Sequence, residues 1–177
     1  MRSTRTRDVL LFGLALAVLA ADQWTKHWVR HNLLPGIPFD PLPGLRPLLS
    51  LTYVTNTGAS FGLFPQLKSL YVVVNLAVIS MILLFHRRLP PSHWLLASSL
   101  GLLLGGSAGN VIDRLWHGWV IDFIDLNFWP LQEWPVFNVA DSSTVVGVCI
   151  LSVYLLLHEE PTSAASEVPP RKEPDAS

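Results

Sequence analysis

Four long apolar runs constrain the fold of this chain more than any other feature. Each run approaches the ~20 residues that a helix needs to cross the hydrocarbon core of a bilayer. Half of the 177 residues are apolar and only 14% are charged, which is too apolar for an ordinary soluble domain. We therefore predict an all-α membrane fold, a single domain over residues 1–158 with transmembrane helices at about 9–29, 69–86, 93–112 and 139–157.

The basic residues give these predicted helices a direction, because Lys and Arg are enriched on the cytoplasmic side of membrane proteins. They precede the first run and fill the connection between the second and third runs, at Arg2, Arg5, Arg7, Arg87 and Arg88. We expect both termini in the cytoplasm and the loops 30–68 and 115–137 on the periplasmic surface. Most of the seven tryptophans fall on that outer side, where amphipathic rings favour the membrane interface.

The first apolar run also fits a cleaved signal peptide. Arginines precede residues 9–21, and the small residues Ala20 and Ala21 end that run. Against this alternative, Asp22 and Lys26 follow with the i, i+4 spacing of a helix that continues. We therefore expect this segment to remain as the first transmembrane helix.

The segments outside the apolar runs differ from one another in composition. Residues 48–55 are rich in β-branched and aromatic side chains and end at a turn signal, 56–58. They predict a short strand or hairpin on the membrane surface. The tail 159–177 is rich in acidic residues, proline and serine, which predicts a disordered cytoplasmic segment.

Several function classes are excluded by composition. The formal net charge of −1, without a dense basic cluster, argues against nucleic-acid binding. The only cysteine, Cys149, permits no intrachain disulfide, and the histidines show no metal-ligand spacing. We therefore expect neither a metal nor another cofactor.

Polar residues that are distant in sequence converge at one membrane face. The first and third predicted helices end on the outer side and the fourth begins there, so 22–26, 110–114 and 138–141 fall at a similar depth. Asp122 lies in the loop between the last two helices. Ionisable residues at a bilayer edge are costly and mark functional sites. We predict one outward-facing site, partly buried by lipid.

Asp122 and Asp141 are the candidates for acid–base chemistry. Two carboxylates that share a site cannot both ionise cheaply, so one keeps a proton while the other acts as a base. Such a pair can activate water without a metal or a nucleophilic side chain. The alternative is structural: either aspartate caps a helix or pairs with Arg114 or Lys26, and Asp141 lies where a helix cap is expected.

The other polar residues of this face have structural interpretations as well. Asp113 with Arg114, and Asp22 with Lys26, are expected to form ion pairs. The asparagines of this face suit either gripping a peptide backbone or linking helices: Asn56, Asn110 and Asn138. Glycines at four-residue spacing predict close packing of the third helix against a neighbour: Gly101, Gly105 and Gly109.

Five ordered segments together resemble lipoprotein signal peptidase, the type II signal peptidase of bacteria. They are DQWTK at 22–26, NTGASF at 56–61, GGSAGNVIDR at 105–114, VIDF at 120–123 and FNVAD at 137–141. The resemblance implies a four-helix inner-membrane aspartic endopeptidase with Asp122 and Asp141 as its catalytic pair. It implies supporting or substrate-binding roles for Asp22, Lys26, Asn56, Gly109, Asn110, Arg114, Asn138 and Ala140.

The resemblance also implies the substrate and partners. The substrates would be prolipoproteins whose lipobox cysteine already carries diacylglycerol, with cleavage just before that cysteine. The enzyme would be a monomer surrounded by membrane lipid, and globomycin-type cyclic peptides would occupy its substrate site.

Two other classes of function stay open from the residues alone. A proton-coupled transporter or lipid-binding protein could use Asp22, Asp113 and Asp141 as a relay. A purely structural membrane partner could use the glycine stripe for association. A transporter favours ionisable groups at several depths, whereas here they crowd one face.

Overall fold

The structure is a computed structural model that describes residues 2–58, 68–89 and 93–158. The tail predicted to be disordered, 159–177, lies outside the described residues. Within them, four helices are long and apolar enough to span a membrane. They are α1 (Arg2–Asn32), α2 (Lys68–Phe85), α3 (Trp94–His117) and α4 (Val139–Leu157).

The predicted class of fold, four transmembrane helices with a small β-rich element, is confirmed. Large apolar side chains of all four helices face outward, such as Leu16, Leu84 and Leu156. In water this surface would be costly, whereas in a bilayer it contacts lipid tails. The sides of the membrane on which the termini lie stay a prediction.

Two helices are longer than the predicted bounds. α1 covers Arg2–Asn32 rather than 9–29, and α3 continues to His117 rather than ending near 112. The positions 115–117, expected in a loop, are therefore helical. Hydropathy marks only the apolar part of a helix. α3 ends at His117 because the next residue, Gly118, has a φ of 84° that stops the helix, and its N–H donates to Arg114 O.

α1 runs without interruption through the position where signal-peptide cleavage was considered. Both Asp22 and Lys26 are buried against other elements, at 0% and 2% exposure. This placement favours α1 as a retained part of the domain.

A three-stranded antiparallel sheet covers one end of the helix bundle. Its order is β1 (Pro38–Phe39), β2 (Leu49–Asn56), β3 (Val120–Leu126). The strand near 48–55 was predicted, but its partner β3, inside the tryptophan-rich second loop, was not. The β2–β3 register places Val54 opposite Asp122.

The sheet is anchored to the bundle by a small apolar cluster. It consists of Val29 from α1, Tyr53 from β2, and Ile121 and Phe123 from β3. These side chains fix β3 against the end of α1. Asp122, between two members of the cluster, is thereby held at a defined position over the helices.

α3 is the central helix, and its glycines allow its neighbours to approach closely. A Cβ atom on Gly101 would lie 2.6 Å from Leu11 O, and one on Gly105 would lie 2.6 Å from Ala15 O, both on α1. A Cβ on Gly106 would lie 2.5 Å from Ala140 O on α4. The interpretation of the glycine stripe as a packing surface is thus confirmed.

Replacement of Gly105 by Ala should lower the free energy of unfolding by about 1–3 kcal/mol, because the added methyl group overpacks the α1–α3 contact. The matched control is Gly13→Ala on α1, where a Cβ meets nothing within 4 Å. Thermal unfolding in detergent should show a lower Tm for Gly105→Ala alone. Equal Tm values for the two variants would contradict this close-packing account.

Candidate active site

Residues from five elements meet at the end of the bundle that carries the sheet, which we call the site end. All the predicted site residues lie there: Asp22 and Lys26 on α1, Asn56 ending β2, Gly109, Asn110 and Arg114 on α3, Asp122 on β3, and Asn138, Ala140 and Asp141 where α4 begins. The structure therefore confirms that these residues, distant in sequence, converge at one end of the bundle.

Asp122 is a buried carboxylate on β3 that accepts hydrogen bonds at both oxygens. Asn138 Nδ2 donates to its Oδ1 at 2.6 Å, and Asn56 Nδ2 donates to its Oδ2 at 2.9 Å. Its exposure is only 1%. Burial, and then the negative charge of Asp141, raise the pKa of Asp122 to about 6, against the two amide hydrogen bonds that favour the ionised form.

Asp141 caps a helix and also faces the candidate site. Asn138 Oδ1 accepts from the Asp141 backbone N–H at 2.8 Å, and Asp141 Oδ2 accepts from the Asn138 backbone N–H at 3.3 Å. This reciprocal pair is a capping box that starts α4. The capping alternative is thus correct, but it does not displace the other interpretation, because Asp141 also lines the same cavity as Asp122.

Two asparagines connect the aspartates. Asn110 Nδ2 donates to Asp141 Oδ1 at 2.8 Å, and Asn138 Nδ2 lies 3.2 Å from Asn110 Oδ1. Lys26 Nζ donates to the same Asn110 oxygen at 3.0 Å. The amide N–H groups therefore point toward the carboxylates, and the amide oxygen of Asn110 points toward the cation.

A buried ion cluster lies behind these asparagines. Lys26 Nζ is 2.8 Å from Asp22 Oδ2 and 3.0 Å from Asp113 Oδ2. Each carboxylate also accepts from a backbone N–H of another element: Asp22 from Ala140 at 2.9 Å, and Asp113 from Ile121 at 3.0 Å. Since Ala140 precedes Asp141 and Ile121 precedes Asp122, the cluster positions both candidate catalytic residues through the backbone.

The predicted ion pair between Asp22 and Lys26 is confirmed, whereas the one between Asp113 and Arg114 is wrong. Consecutive helical residues point about 100° apart, so Asp113 faces α1 while Arg114 faces the cavity. Arg114 Nη2 donates to Gly58 O at 3.2 Å, and the guanidinium lies 5.6 Å from the centroid of the Tyr71 ring. Among the described residues, the buried Arg114 Nε has no hydrogen-bond partner.

One residue of this network was missed from the sequence. Gln23 Nε2 lies 3.0 Å from Asp113 Oδ1, 3.2 Å from Gly109 O and 3.3 Å from Asp22 Oδ2. Its place beside Asp22 in the first shared segment was the only signal. Gly109 is required here for space, because a Cβ atom would lie 2.4 Å from Asp22 Oδ2.

A cavity of about 410 Å³ opens over the two aspartates. One wall is polar and consists of Asn56, Asn110, Arg114, Asp122 and Asp141. The other wall is apolar and includes Leu131, Trp134, Phe137, Val145 and Val146. Val145 and Val146 are exposed on the lipid-facing side of α4, so the cavity joins a polar site to the bilayer.

Among the described residues, no group of three or more His, Cys, Asp or Glu side chains is placed to hold a metal ion. The groups that face the cavity are carboxylates, amides and one guanidinium. They can transfer protons, donate hydrogen bonds and stabilise negative charge. Together with the four spans, they define a helical membrane protein with a candidate acid–base site.

Comparisons with known proteins agree with that class. A family model described as signal peptidase (SPase) II matches residues 14–157. The lipoprotein signal peptidase of Moorella thermoacetica is 47% identical over 144 residues, covering 81% of this chain and 91% of that protein. The lipoprotein signal peptidase of Syntrophomonas wolfei is 42% identical over 146 residues, covering 82% and 92%.

A solved structure described as a bacterial membrane enzyme superimposes with a TM-score of 0.73 at 28% identity, covering 84% of this chain and 92% of that one. The match of the family model to most of the chain is decisive. This chain belongs to the signal peptidase II family, a family of membrane peptidases.

Replacement of Lys26 by Met should be strongly destabilising, by about 3–5 kcal/mol, because it leaves two buried carboxylates without their cation. The control is Arg46→Met, which removes an exposed cation 3.3 Å from Asp40. An exposed pair of that kind contributes less than about 1 kcal/mol. Thermal unfolding of both variants in detergent measures the difference, and a Tm for Lys26→Met close to wild type would contradict the proposed role of the ion cluster.

Proposed function

We propose that this chain is an aspartic endopeptidase that removes the signal peptide from diacylglyceryl-modified prolipoproteins, just before the lipidated cysteine. Asp122 and Asp141 are the proposed catalytic pair. The observation that carries this proposal is the common cavity, in which two carboxylates from different elements face a wall that continues into the lipid-facing surface of α4.

The proposed reaction uses the two aspartates as one unit. One carboxylate takes a proton from a water molecule as the water oxygen attacks the scissile carbonyl carbon, and the other, as a carboxylic acid, donates a hydrogen bond to the carbonyl oxygen. The C–N bond then breaks, and a proton passes from the pair to the leaving amine. A pair of this kind titrates together, so the proton belongs to the pair. The raised pKa of Asp122, with Asp141 as one of its causes, supports such sharing.

The asparagines contribute hydrogen bonds that keep both carboxylates in place. Asn56 and Asn138 donate to Asp122, and Asn110 donates to Asp141. These amides do not ionise, so the exchangeable proton of the site belongs to the two carboxylates. Arg114 lines the cavity, and its guanidinium is suited to donate to a carbonyl oxygen of the bound peptide.

The two walls of the cavity fit the two parts of the proposed substrate. The peptide backbone near the cleaved bond lies against the amides and Arg114, and the diacylglycerol chains lie along Val145 and Val146 toward the bilayer. A substrate anchored by its acyl chains is already held at the depth of the cavity. This anchoring restricts its position and orientation before it binds, which lowers the entropic cost of the reaction. A globomycin-type cyclic peptide would compete for the same cavity.

We place the protein in the bacterial inner membrane with the cavity toward the periplasm. The support is the set of arginines at the end of the bundle opposite the site, including Arg87 and Arg88 next to α2. One chain supplies every element of the cavity, which is consistent with a monomer. No cofactor takes part in the proposed reaction.

The transporter alternative has less support. Among the described residues, the buried charged side chains collect at the site end, except Arg7, which lies at the opposite end and pairs with Asp8 at 2.7 Å. Between these ends, the middle turns of the described helices carry no charged group that could relay a proton. A proton path through the bilayer therefore lacks intermediate groups.

Asp122→Asn and Asp141→Asn should each abolish cleavage, by at least about 10³-fold, because an amide keeps the shape of the carboxyl group but cannot exchange a proton. The measurement is cleavage of a purified diacylated prolipoprotein, followed by gel shift, with Tm recorded for each variant. Asp125→Asn is the control, since Asp125 is on the same strand and accepts a hydrogen bond from Thr52 at 2.6 Å. Full activity of either site variant would overturn the catalytic pair.

A further inference from the structure

A second cavity, of about 390 Å³, lies between the ends of α1 and α3 at the site end. It shares no lining residue with the cavity over the aspartates. Its lining includes Gln23, His27, Arg30, Trp116 and His117, with the Lys26–Asp113 ion pair behind them. Its volume lies in the range of small-molecule sites, roughly 300–1,000 Å³. We call it the α1–α3 cavity.

The polar groups at the mouth of this cavity are hydrogen-bond donors and bases without a matching anion. Arg30 Nη1 lies 3.0 Å from His117 Nε2, and no ion pair joins Arg30 to a carboxylate in the part of the chain that the structure describes. His27 is also part of the lining, and its ring centroid is 4.1 Å from that of His31.

Asp113 is the one acidic residue of the lining, and both of its oxygens already have partners. Oδ1 accepts from Gln23, and Oδ2 is held by Lys26 and by the backbone N–H of Ile121. It is 2% exposed. The carboxylate is thus committed to the buried ion cluster, and the guanidinium of Arg30, which is exposed, is left to bind an anion from outside.

The surroundings of this mouth are those expected in the headgroup layer of a bilayer. Arg30 and His117 are in the last turns of two membrane spans, where a spanning helix leaves the hydrocarbon core. Trp116 is 81% exposed next to the cavity, and Trp24 and Leu115 are exposed nearby along α1 and α3. Exposed indole rings of this kind favour the membrane interface.

We propose that the α1–α3 cavity binds the phosphate headgroup of an anionic phospholipid from the leaflet at the site end. Arg30 donates to the phosphate oxygens, since a guanidinium is suited to bidentate phosphate binding. His117 holds Arg30 at the mouth, and the acyl chains extend along the exposed apolar surface of α1 and α3. Basic pockets between transmembrane helices bind anionic headgroups in the same way.

This site is distinct from the proposed catalytic cavity, so its test measures binding and not cleavage. The full chain in a neutral detergent is titrated with short-chain phosphatidylglycerol, with phosphatidylcholine of the same chain length, and with inorganic phosphate. Tryptophan fluorescence and Tm report binding. We expect saturable binding of phosphatidylglycerol with a rise in Tm, and neither effect from the other two probes.

The variant Arg30→Gln should weaken phosphatidylglycerol binding about tenfold, the size of one lost charge-assisted hydrogen bond. Because Arg30 is exposed, the Tm of the unliganded variant should match wild type. His117→Leu removes the partner of Arg30 and should weaken binding to a smaller extent. Arg46→Gln, an exposed arginine outside the cavity, is the matched control and should bind like wild type.

Three results would overturn the proposal. Phosphatidylcholine that binds as well as phosphatidylglycerol would show that charge is not recognised. If inorganic phosphate also bound saturably and raised Tm, the ligand of the cavity would be a free anion rather than a lipid. A loss of binding in Arg46→Gln equal to that in Arg30→Gln would mean general attraction to basic residues rather than a site.

Discussion

The structure depends on one buried cation, Lys26, held between the carboxylates of Asp22 and Asp113. Charges in such a position are tolerated only when they are paired and hydrogen-bonded. These two carboxylates also accept from the backbone N–H groups of Ala140 and Ile121. The ion cluster therefore ties α1 and α3 to the start of α4 and to β3, which carry the two candidate catalytic residues.

The balance of charge at the site end explains why the proposed chemistry is possible there. Four carboxylates, of Asp22, Asp113, Asp122 and Asp141, gather around two cations, Lys26 and Arg114. An excess of carboxylates in a partly buried site favours retention of a proton. Lys26 is paired with Asp22 and Asp113 in the ion cluster. Asp122 and Asp141 are therefore left with amide donors and Arg114. This division separates a structural pair of aspartates from the proposed reactive pair.

Much of this arrangement was predictable from the sequence, for two physical reasons. Spanning helices must be long and apolar, and ionisable residues beside them are costly, so both the helices and the convergence at 22–26, 110–114 and 138–141 could be read directly. The rest depends on tertiary contacts. β3 pairs with a strand some 70 residues earlier in the chain, and Asp113 turns away from Arg114 toward Lys26, which neighbouring positions in the sequence cannot show.

The most direct test of the central claim is the titration of the Asp122 carboxyl group, followed by infrared or NMR spectroscopy in wild type and in Asp141→Asn. The account predicts a midpoint near the raised pKa of about 6 in wild type. In Asp141→Asn the midpoint should move to lower pH, because a negative neighbour that disfavours ionisation has been removed. An identical midpoint in the two proteins would show that the carboxylates do not interact, and the shared-proton mechanism would be contradicted.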